Sequence, residues 1–316
     1  MEKNRLQNFQ ISFFAMVLGF VGFALVLQKT EEFFHFPAGV TSFFLILAIT
    51  VFAVVLIAYL LKILFRFASF KEDFNHPIKV NFFPLIAKNL LILSVIFLPI
   101  NMLASKYLWI SGVLLQLIFS FVIISRWLST KFEIQQINPS WFIPIVGSVI
   151  VPIAGIKHFS PEISWFFFSG GLIWWLLLFV IVIYRIIFHN PMHNKFLPTF
   201  FILFAPPAIA FIALVKLTGE LSPLGRILYH ISFFMFMLIM LQSYKFRKID
   251  FYLSWWAYSF PTVAITVATV LMYHLTHEPF YKYLVFGMFG LLILIMFYLT
   301  FRTFKAIKNK EICIEE

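Results

Sequence analysis

Four prolines recur at nearly constant spacing inside long apolar stretches of this 316-residue chain. Pro84, Pro144, Pro206 and Pro261 are separated by 60, 62 and 55 residues. A proline inside a helix removes one backbone hydrogen bond and kinks the helix, and in a bilayer the freed carbonyl needs a polar partner or water. Kinked helices around a water-filled pore meet that need in every repeat, so we interpret the four prolines as pore kinks. The alternative is that membrane helices simply tolerate proline.

Phe260 directly precedes the last of these prolines. It lies about eight residues into its apolar run, which at 1.5 Å per residue is about 12 Å from the start of the run. That depth is near the midplane of a hydrocarbon core about 30 Å thick. An apolar constriction can close a pore by dewetting. Most of the 45 phenylalanines must face lipid or pack between helices, but this position predicts that Phe260 is a pore gate.

Lys88 is the one charged residue deep inside an apolar run, four residues after Pro84. An ionisable side chain at that depth is by default a functional candidate, and an ammonium group there would attract anions. The alternatives are that Lys88 pairs with carbonyl groups of a neighbouring helix or loses its proton on burial.

All 13 acidic residues fall outside the runs, which argues against proton relays and acidic cation filters and favours a path for anions.

Other reactive groups are few. His189 and His193 are spaced like two metal ligands on one helical face, but Pro191 lies between them, and we expect no metal site. Because Cys313 is the single cysteine, no internal disulfide is possible. The sequence carries no glycine-rich phosphate loop and no nucleophile motif, so we expect neither a cofactor nor an enzyme. A membrane enzyme built on His76, His189 and His193 is the remaining catalytic alternative.

The composition determines which elements must hold these residues. Apolar residues make up 62% of the chain and charged residues 12%, whereas soluble domains are about half apolar and about a quarter charged. A soluble globular enzyme and a disordered chain are therefore both excluded, and continuous apolar runs without alternation exclude a β-barrel. We predict one all-α integral membrane domain, residues 1–316, with ten transmembrane helices near 6–28, 40–65, 80–104, 107–128, 140–157, 163–188, 198–217, 224–244, 252–275 and 281–303.

The basic residues predict the orientation. Ten spans place both termini on one side, and that side carries 17 of the 24 basic residues: Lys3, Arg5, Lys62, Arg66, Lys71, Lys79, Arg126, Lys131, Arg185, Lys195, Lys245, Arg247, Lys248, Arg302, Lys305, Lys308 and Lys310. The opposite loops carry Lys29, Lys106, Lys157, Lys216, Arg226 and Lys282. By the positive-inside rule both termini are cytoplasmic. The net charge of +11 reflects this placement, and we expect no nucleic-acid partner.

Four stretches complete the pattern: HPIKVNFF (His76 to Phe83), NPSWFIPIVGSVIVPIAG (Asn138 to Gly155), FAPPAIAFIA (Phe204 to Ala213) and SFP (Ser259 to Pro261). Together they resemble the tellurite-resistance/dicarboxylate transporter family, which includes bacterial TehA and the plant slow anion channels. Each stretch alone is weak, but they fall in four of five hairpins. One departure is that Ala15 and Val17 stand where TehA-like members have a glycine and a proline.

This resemblance implies five helical hairpins in a quasi-fivefold arrangement around a central pore. In the family the odd helices line the pore, the even helices form an outer ring, and three copies assemble into a homotrimer. Phe260 matches the phenylalanine that closes the pore on the ninth helix. The third-helix segment also contributes to the closed pore, which makes Phe82 and Phe83, together with Lys88, possible pore-lining residues.

We therefore expect an anion channel of the bacterial inner membrane, with passive permeation of small inorganic or organic anions. The alternative is a secondary carrier that exports C4-dicarboxylates or small oxyanions such as tellurite or sulfite. A carrier would show saturable flux coupled to an ion gradient, and the absence of carboxylates from the runs counts against proton coupling.

Overall fold

The computed structural model describes residues 5–37, 39–246 and 249–313, and these residues form eleven α-helices and six short 3-10 segments without any β-strand. The predicted all-helical class is confirmed. Lys3, Arg247 and Lys248, which were counted for the orientation, lie outside the described residues. The helices are α1 (Phe13–Phe34), α2 (Val40–Phe65), α3 (Phe67–Asn75), α4 (Leu85–Phe97), α5 (Met102–Ser129), α6 (Ile143–Gly155), α7 (Pro161–Phe188), α8 (Ala205–Thr218), α9 (Pro223–Leu241), α10 (Ser259–Thr276) and α11 (Pro279–Lys308).

Nine helical segments within the described ranges are long and apolar enough to cross a membrane, and a shorter apolar segment covers Pro139–Gly155. These segments overlap the ten predicted runs. The largest difference is at α1, which begins at Phe13 and ends at Phe34, whereas the first run was placed at 6–28. The run was defined by apolar residues, but the helix continues through the polar turn that contains Glu31 and Glu32 because its backbone hydrogen bonds are indifferent to side-chain polarity.

The segments fall into a buried and an exposed class. In Phe13–Phe34, Lys79–Phe97, Asn194–Thr218 and Leu253–Thr276, between 72% and 89% of an apolar 18-residue stretch is buried, and every residue of α6 is buried. In the helices α2, α5, α7, α9 and α11 the share is between 22% and 33%. Helices that are apolar on all faces and buried form the interior, so the first class is internal and the second presents apolar side chains outward.

The contacts between helices follow this division. Among the internal helices, α1 contacts α4, α4 contacts α6, α6 contacts α8, α8 contacts α10, and α10 contacts α1. Each exposed helix packs on the internal helix that precedes it in the chain, so that α2 lies on α1, α5 on α4, α7 on α6, α9 on α8, and α11 on α10. Every internal helix therefore has two internal neighbours and one principal external partner, and α5 also contacts α6, α7 contacts α8, α9 contacts α10, and α11 contacts α1.

The prolines lie at junctions between two helix types. Short 3-10 segments, Lys79–Phe82, Pro139–Phe142, Asn194–Leu203 and Leu253–Tyr258, precede the internal helices α4, α6, α8 and α10. Pro84 caps α4, Pro144 and Pro206 are the second residues of α6 and α8, and Pro261 is the third residue of α10. A proline in the first helical turn removes no intrahelical bond. The predicted kinks thus take the form of a change from 3-10 to α geometry.

Side chains of the external helices satisfy carbonyl groups at these junctions. The Gln116 Nε2 of α5 donates to the Pro144 carbonyl oxygen at 2.6 Å, and the Ser120 hydroxyl donates to the same oxygen at 3.2 Å. In α9, the Ser232 hydroxyl donates to the Phe204 carbonyl oxygen at 2.6 Å. Buried backbone groups need such partners in a bilayer, so these polar residues of otherwise apolar helices stabilise the junctions.

A buried ion pair ties α2 to α3. Lys62, which was counted on the terminal side near the end of the run 40–65, is part of α2 and is 2% exposed. Its Nζ lies 2.5 Å from Asp73 Oδ2 and 2.9 Å from the Phe9 carbonyl oxygen, and Lys79 Nζ lies 3.0 Å from the other Asp73 oxygen. A buried charge is tolerated when it is paired and hydrogen-bonded, which these contacts provide.

Candidate functional site

Phe260 is the second residue of α10 and is buried, with 8% of its surface exposed. Its side chain borders two cavities at once, a large one on one side and a small one on the other. The helix begins at Ser259, whose hydroxyl donates to the Trp256 carbonyl oxygen at 2.7 Å. The junction between the 3-10 segment and α10 therefore positions the ring between the two cavities.

The large cavity, which we call the distal vestibule, has a volume of about 650 Å³. It is lined by side chains from all five internal helices, for example Leu25, Ile92, Ile153, Ile212 and Val267. Most of its wall is aliphatic, and its charged lining groups are located where α1, α6, α8 and α10 end.

The small cavity, which we call the central chamber, has a volume of about 50 Å³. The five internal segments contribute Leu18, Lys88, Val146, Ala205 and Phe260, among other side chains, to its wall. Of the described side chains that line it, Lys88 is the only charged one, and none is acidic. The chamber is therefore a small, apolar space that is lined by a single lysine side chain.

Lys88 has no acidic neighbour within the described parts of the chain that would form an ion pair with it. It lies one turn into α4 and is 3% exposed. A buried ammonium group without a counter-ion is costly unless another anion or a dipole compensates it. Lys88 therefore keeps its charge only where an anion or a dipole in the chamber compensates it.

A third cavity of about 480 Å³ lies near both ends of the chain, and we call it the proximal vestibule. Its lining includes Lys79, Lys195 and Glu311. Phe82, one of the predicted pore-lining residues, borders both this vestibule and the central chamber. Cys313 also lines it, and burial raises the pKa of the Cys313 thiol above its usual value. Phe82 and Phe260 thus border the central chamber towards opposite vestibules.

Phe83, also predicted to line the pore, has a different environment. The ring is buried in an aromatic cluster, with centroids 6.0 Å from Tyr59, 5.9 Å from Phe70, 5.1 Å from Phe74 and 6.1 Å from Phe119. It is not among the described side chains that line the three cavities. Of the four prolines, Pro261 borders the central chamber.

Two of the three histidines of the catalytic alternative accept hydrogen bonds from backbone amides. His76 Nδ1 accepts hydrogen bonds from the amides of Ile78 and Lys79, and His193 Nδ1 accepts one from the Lys195 amide. Within residues 5–37, 39–246 and 249–313, no group of three or more His, Cys, Asp or Glu side chains is arranged to hold a metal ion. His76 and His193 therefore cap local turns, whereas the His189 ring packs against Tyr184 with the ring centroids 5.3 Å apart.

Sequence reasoning missed the charged groups of the distal vestibule. Lys29, Lys157 and Lys216 line it together with Glu32 and His274, whereas the three lysines were counted only as loop charges. Their common feature in the sequence is a position just at or after the end of an odd-numbered run. That signal could have indicated that they meet at one mouth of the bundle.

The fold and the cavities define a class of protein. Internal helices surround a row of cavities without an acidic group in the central chamber, and the outer helices present apolar faces, so this is a multi-pass membrane protein built for transport. The chain belongs to the SLAC1 family of voltage-dependent anion channels, whose family model matches residues 8–304.

Individual relatives extend this result. An uncharacterized transporter of Methanocaldococcus jannaschii is 26% identical over 309 residues, 90% of this chain and 90% of the relative. The S-type anion channel SLAH2 of Arabidopsis thaliana is 30% identical over 275 residues, and the aligned part covers 84% of this chain and 53% of the plant protein. The tellurite resistance protein TehA homolog of Haemophilus influenzae is 24% identical over 266 residues, 83% of this chain and 80% of that protein. The resemblance found in the motifs is confirmed, and anion transport is the function that the relatives support.

Proposed function

We propose that this protein is an anion channel of the bacterial inner membrane, through which small anions move passively down their electrochemical gradient. The observation that carries the proposal is the row of three cavities, in which the central chamber is lined by one lysine and by no described acidic side chain. An anion in that chamber meets a favourable charge, whereas a cation meets an unfavourable one. The names of the plant relatives support a channel.

The architecture of the proposal is ten transmembrane helices within a single domain, residues 1–316, arranged as five hairpins with quasi-fivefold symmetry. The neighbour contacts among the internal helices and the pairing of each with one external helix support it. The proximal vestibule opens to the cytoplasm in this proposal, because the basic residues concentrate near the termini. The assembly is a homotrimer, as the resemblance implies.

Phe260 is the gate of the proposed channel. Its ring is buried between the distal vestibule and the central chamber, and an apolar ring in a narrow passage excludes water and ions. Phe82 contributes to closure on the proximal side, Lys88 attracts the anion, and Pro84, Pro144, Pro206 and Pro261 fix the points where the internal segments change direction.

One observation favours a second function, a secondary carrier for C4-dicarboxylates or small oxyanions. The central chamber has a bulky aromatic residue on each side, Phe82 and Phe260, and carriers operate by closing their binding site on alternate sides. The TehA homolog is named for tellurite resistance. A carrier would exchange substrate in liposomes with saturation and counterflow.

The experiment that tests the proposal is voltage-clamp recording of the purified protein in a planar bilayer with chloride or nitrate. Phe260→Ala removes the ring, so the variant should carry an anion-selective current that is much larger than that of the wild type. Phe297→Ala is the matched control, because Phe297 is an exposed phenylalanine of the external helix α11. Saturable dicarboxylate exchange without current would instead identify the carrier.

A further inference from the structure

Three lysines from different internal elements line the distal vestibule. Lys29 belongs to α1, Lys157 follows α6 by two residues, and Lys216 belongs to α8. All three are exposed to the vestibule or to its opening. Lys29 lies within electrostatic range of Lys216 and of Glu32. Residues that are more than 50 positions apart in the sequence are thus brought to one mouth of the bundle.

The three lysines outnumber the acidic groups in this vestibule. Glu32 is the one carboxylate among the described residues that line it, and its Oε1 lies 2.6 Å from His274 Nε2. The remaining wall is aliphatic, including Ile92, Ile209 and Val267. Low-dielectric walls focus the field of the charges at a cleft, so the three ammonium groups dominate the potential at this mouth.

We propose that Lys29, Lys157 and Lys216 form an anion-recruitment site, which concentrates small anions in the distal vestibule beside Phe260. This inference rests on the proposed channel function and adds the residues that determine entry from the distal side. The vestibule of about 650 Å³ has room for an anion with its hydration water, whereas the central chamber of about 50 Å³ does not. Divalent anions feel twice the attraction of monovalent ones, so the site binds sulfate more tightly than chloride.

The expected size of the effect follows from Coulomb's law. Three unit charges about 7 Å from an anion in water raise its local concentration on the order of tenfold when the Debye length is about 30 Å, as in about 0.01 M salt. In about 1 M salt the Debye length is about 3 Å and the attraction is screened. A recruitment site therefore has a characteristic salt dependence.

The test uses the Phe260→Ala protein in planar bilayers, with and without the three substitutions Lys29→Gln, Lys157→Gln and Lys216→Gln. We expect the triple variant to conduct anions from the distal side about tenfold less in 0.01 M chloride and equally in 1 M chloride. Replacement of the three lysines by arginine should retain the conductance. Lys282→Gln is the matched control, because Lys282 is an exposed lysine of α11 that does not line the vestibule.

The inference would be overturned if the triple variant and its Phe260→Ala parent conducted equally at low salt. It would also be overturned if the triple variant lost the same fraction of conductance at both salt concentrations, because such a loss indicates a change of structure. If Phe260→Ala carries no current, the proposed channel fails, and the recruitment site is tested separately by titrating the purified protein with sulfate. The wild type should then bind sulfate at least tenfold more tightly in about 0.01 M salt than the triple lysine variant does. Equal sulfate affinities would refute the site independently of the channel.

Discussion

Lys88 is the one lysine among the described side chains that line the central chamber. The side chain is 3% exposed, and no carboxylate of the described residues pairs with it. In the Phe260→Ala background, we expect Lys88→Gln to reduce the anion current about tenfold or more and to shift the reversal potential in a salt gradient towards that of a non-selective pore. Lys88→Arg, which keeps the charge, should retain the selectivity.

An unchanged reversal potential in Lys88→Gln, accompanied by a loss of thermal stability, would mean that the lysine only pairs with neighbouring backbone groups. Pairing with carbonyl groups was the alternative role of Lys88 in the sequence analysis. The reversal potential and the thermal stability together distinguish it from a role in permeation.

The sequence predicts the location of some functional side chains better than that of others. Lys88 could be singled out because a charge deep within an apolar run is unusual. Phe260 could be singled out because it precedes a proline near the middle of its run and matches the gate phenylalanine of the family that the motifs resemble. The sequence places Lys29 and Lys216 at the same end of their runs, but only the packing of the internal helices shows that their side chains line one cavity. The ion pair of Lys62 could not be predicted either, because it depends on how α3 places Asp73 beside α2.

At the scale of helices, the contact between α1 and α10 depends on Gly19. A Cβ atom at this position would lie 2.6 Å from Ser259 Oγ and 2.9 Å from Trp256 Cε3. Gly19→Ala therefore forces α10 away at the turn that precedes Phe260, and overpacking of this kind costs about 1–3 kcal/mol. We expect a lower midpoint of thermal unfolding in detergent.

Gly170→Ala provides the control for this substitution. Gly170 lies in the external helix α7, and a Cβ atom there would meet no other atom within 4 Å. Since alanine is the better helix former by about 1 kcal/mol, Gly170→Ala should leave the unfolding midpoint unchanged or raise it. A Gly19→Ala protein as stable as the wild type would show that α1 and α10 are not packed as closely as described.

The helices were more predictable than their ends. Long apolar runs determine where a helix can lie in a membrane, and each of the ten runs corresponds to a helical segment. The 3-10 segments before α4, α6, α8 and α10 could not be derived, because they depend on tertiary partners such as Gln116, which bonds the Pro144 carbonyl group. The prolines indicated where each internal segment changes direction, but not that a 3-10 segment gives way to an α-helix there.

At the scale of the molecule, the proposed orientation can be tested with the single cysteine. Cys313 is half-buried, and burial raises the pKa of its thiol, so labelling needs a mildly alkaline buffer because the thiolate is the reactive form. A membrane-impermeant maleimide should label Cys313 in inside-out vesicles but not in intact cells. In a Cys313→Ser background, Glu220→Cys, an exposed position between α8 and α9, should show the opposite pattern.

If Cys313 reacts from outside intact cells, the orientation inferred from the basic residues is wrong. The proximal vestibule would then face the periplasm, and the recruitment lysines would act on the cytoplasmic side.

At the scale of the whole molecule, the central proposal is that Phe260 closes a continuous anion path. The sequence pointed to this residue, its ring borders the distal vestibule and the central chamber, and membership of the SLAC1 family supports anion transport. The most direct measurement is therefore the current through a voltage-clamped bilayer that contains wild type, Phe260→Ala or Phe297→Ala in chloride. We predict a large anion-selective current for Phe260→Ala alone. Equal currents in all three proteins would contradict the role of Phe260 as the gate, because removal of its ring would then not have opened the anion path.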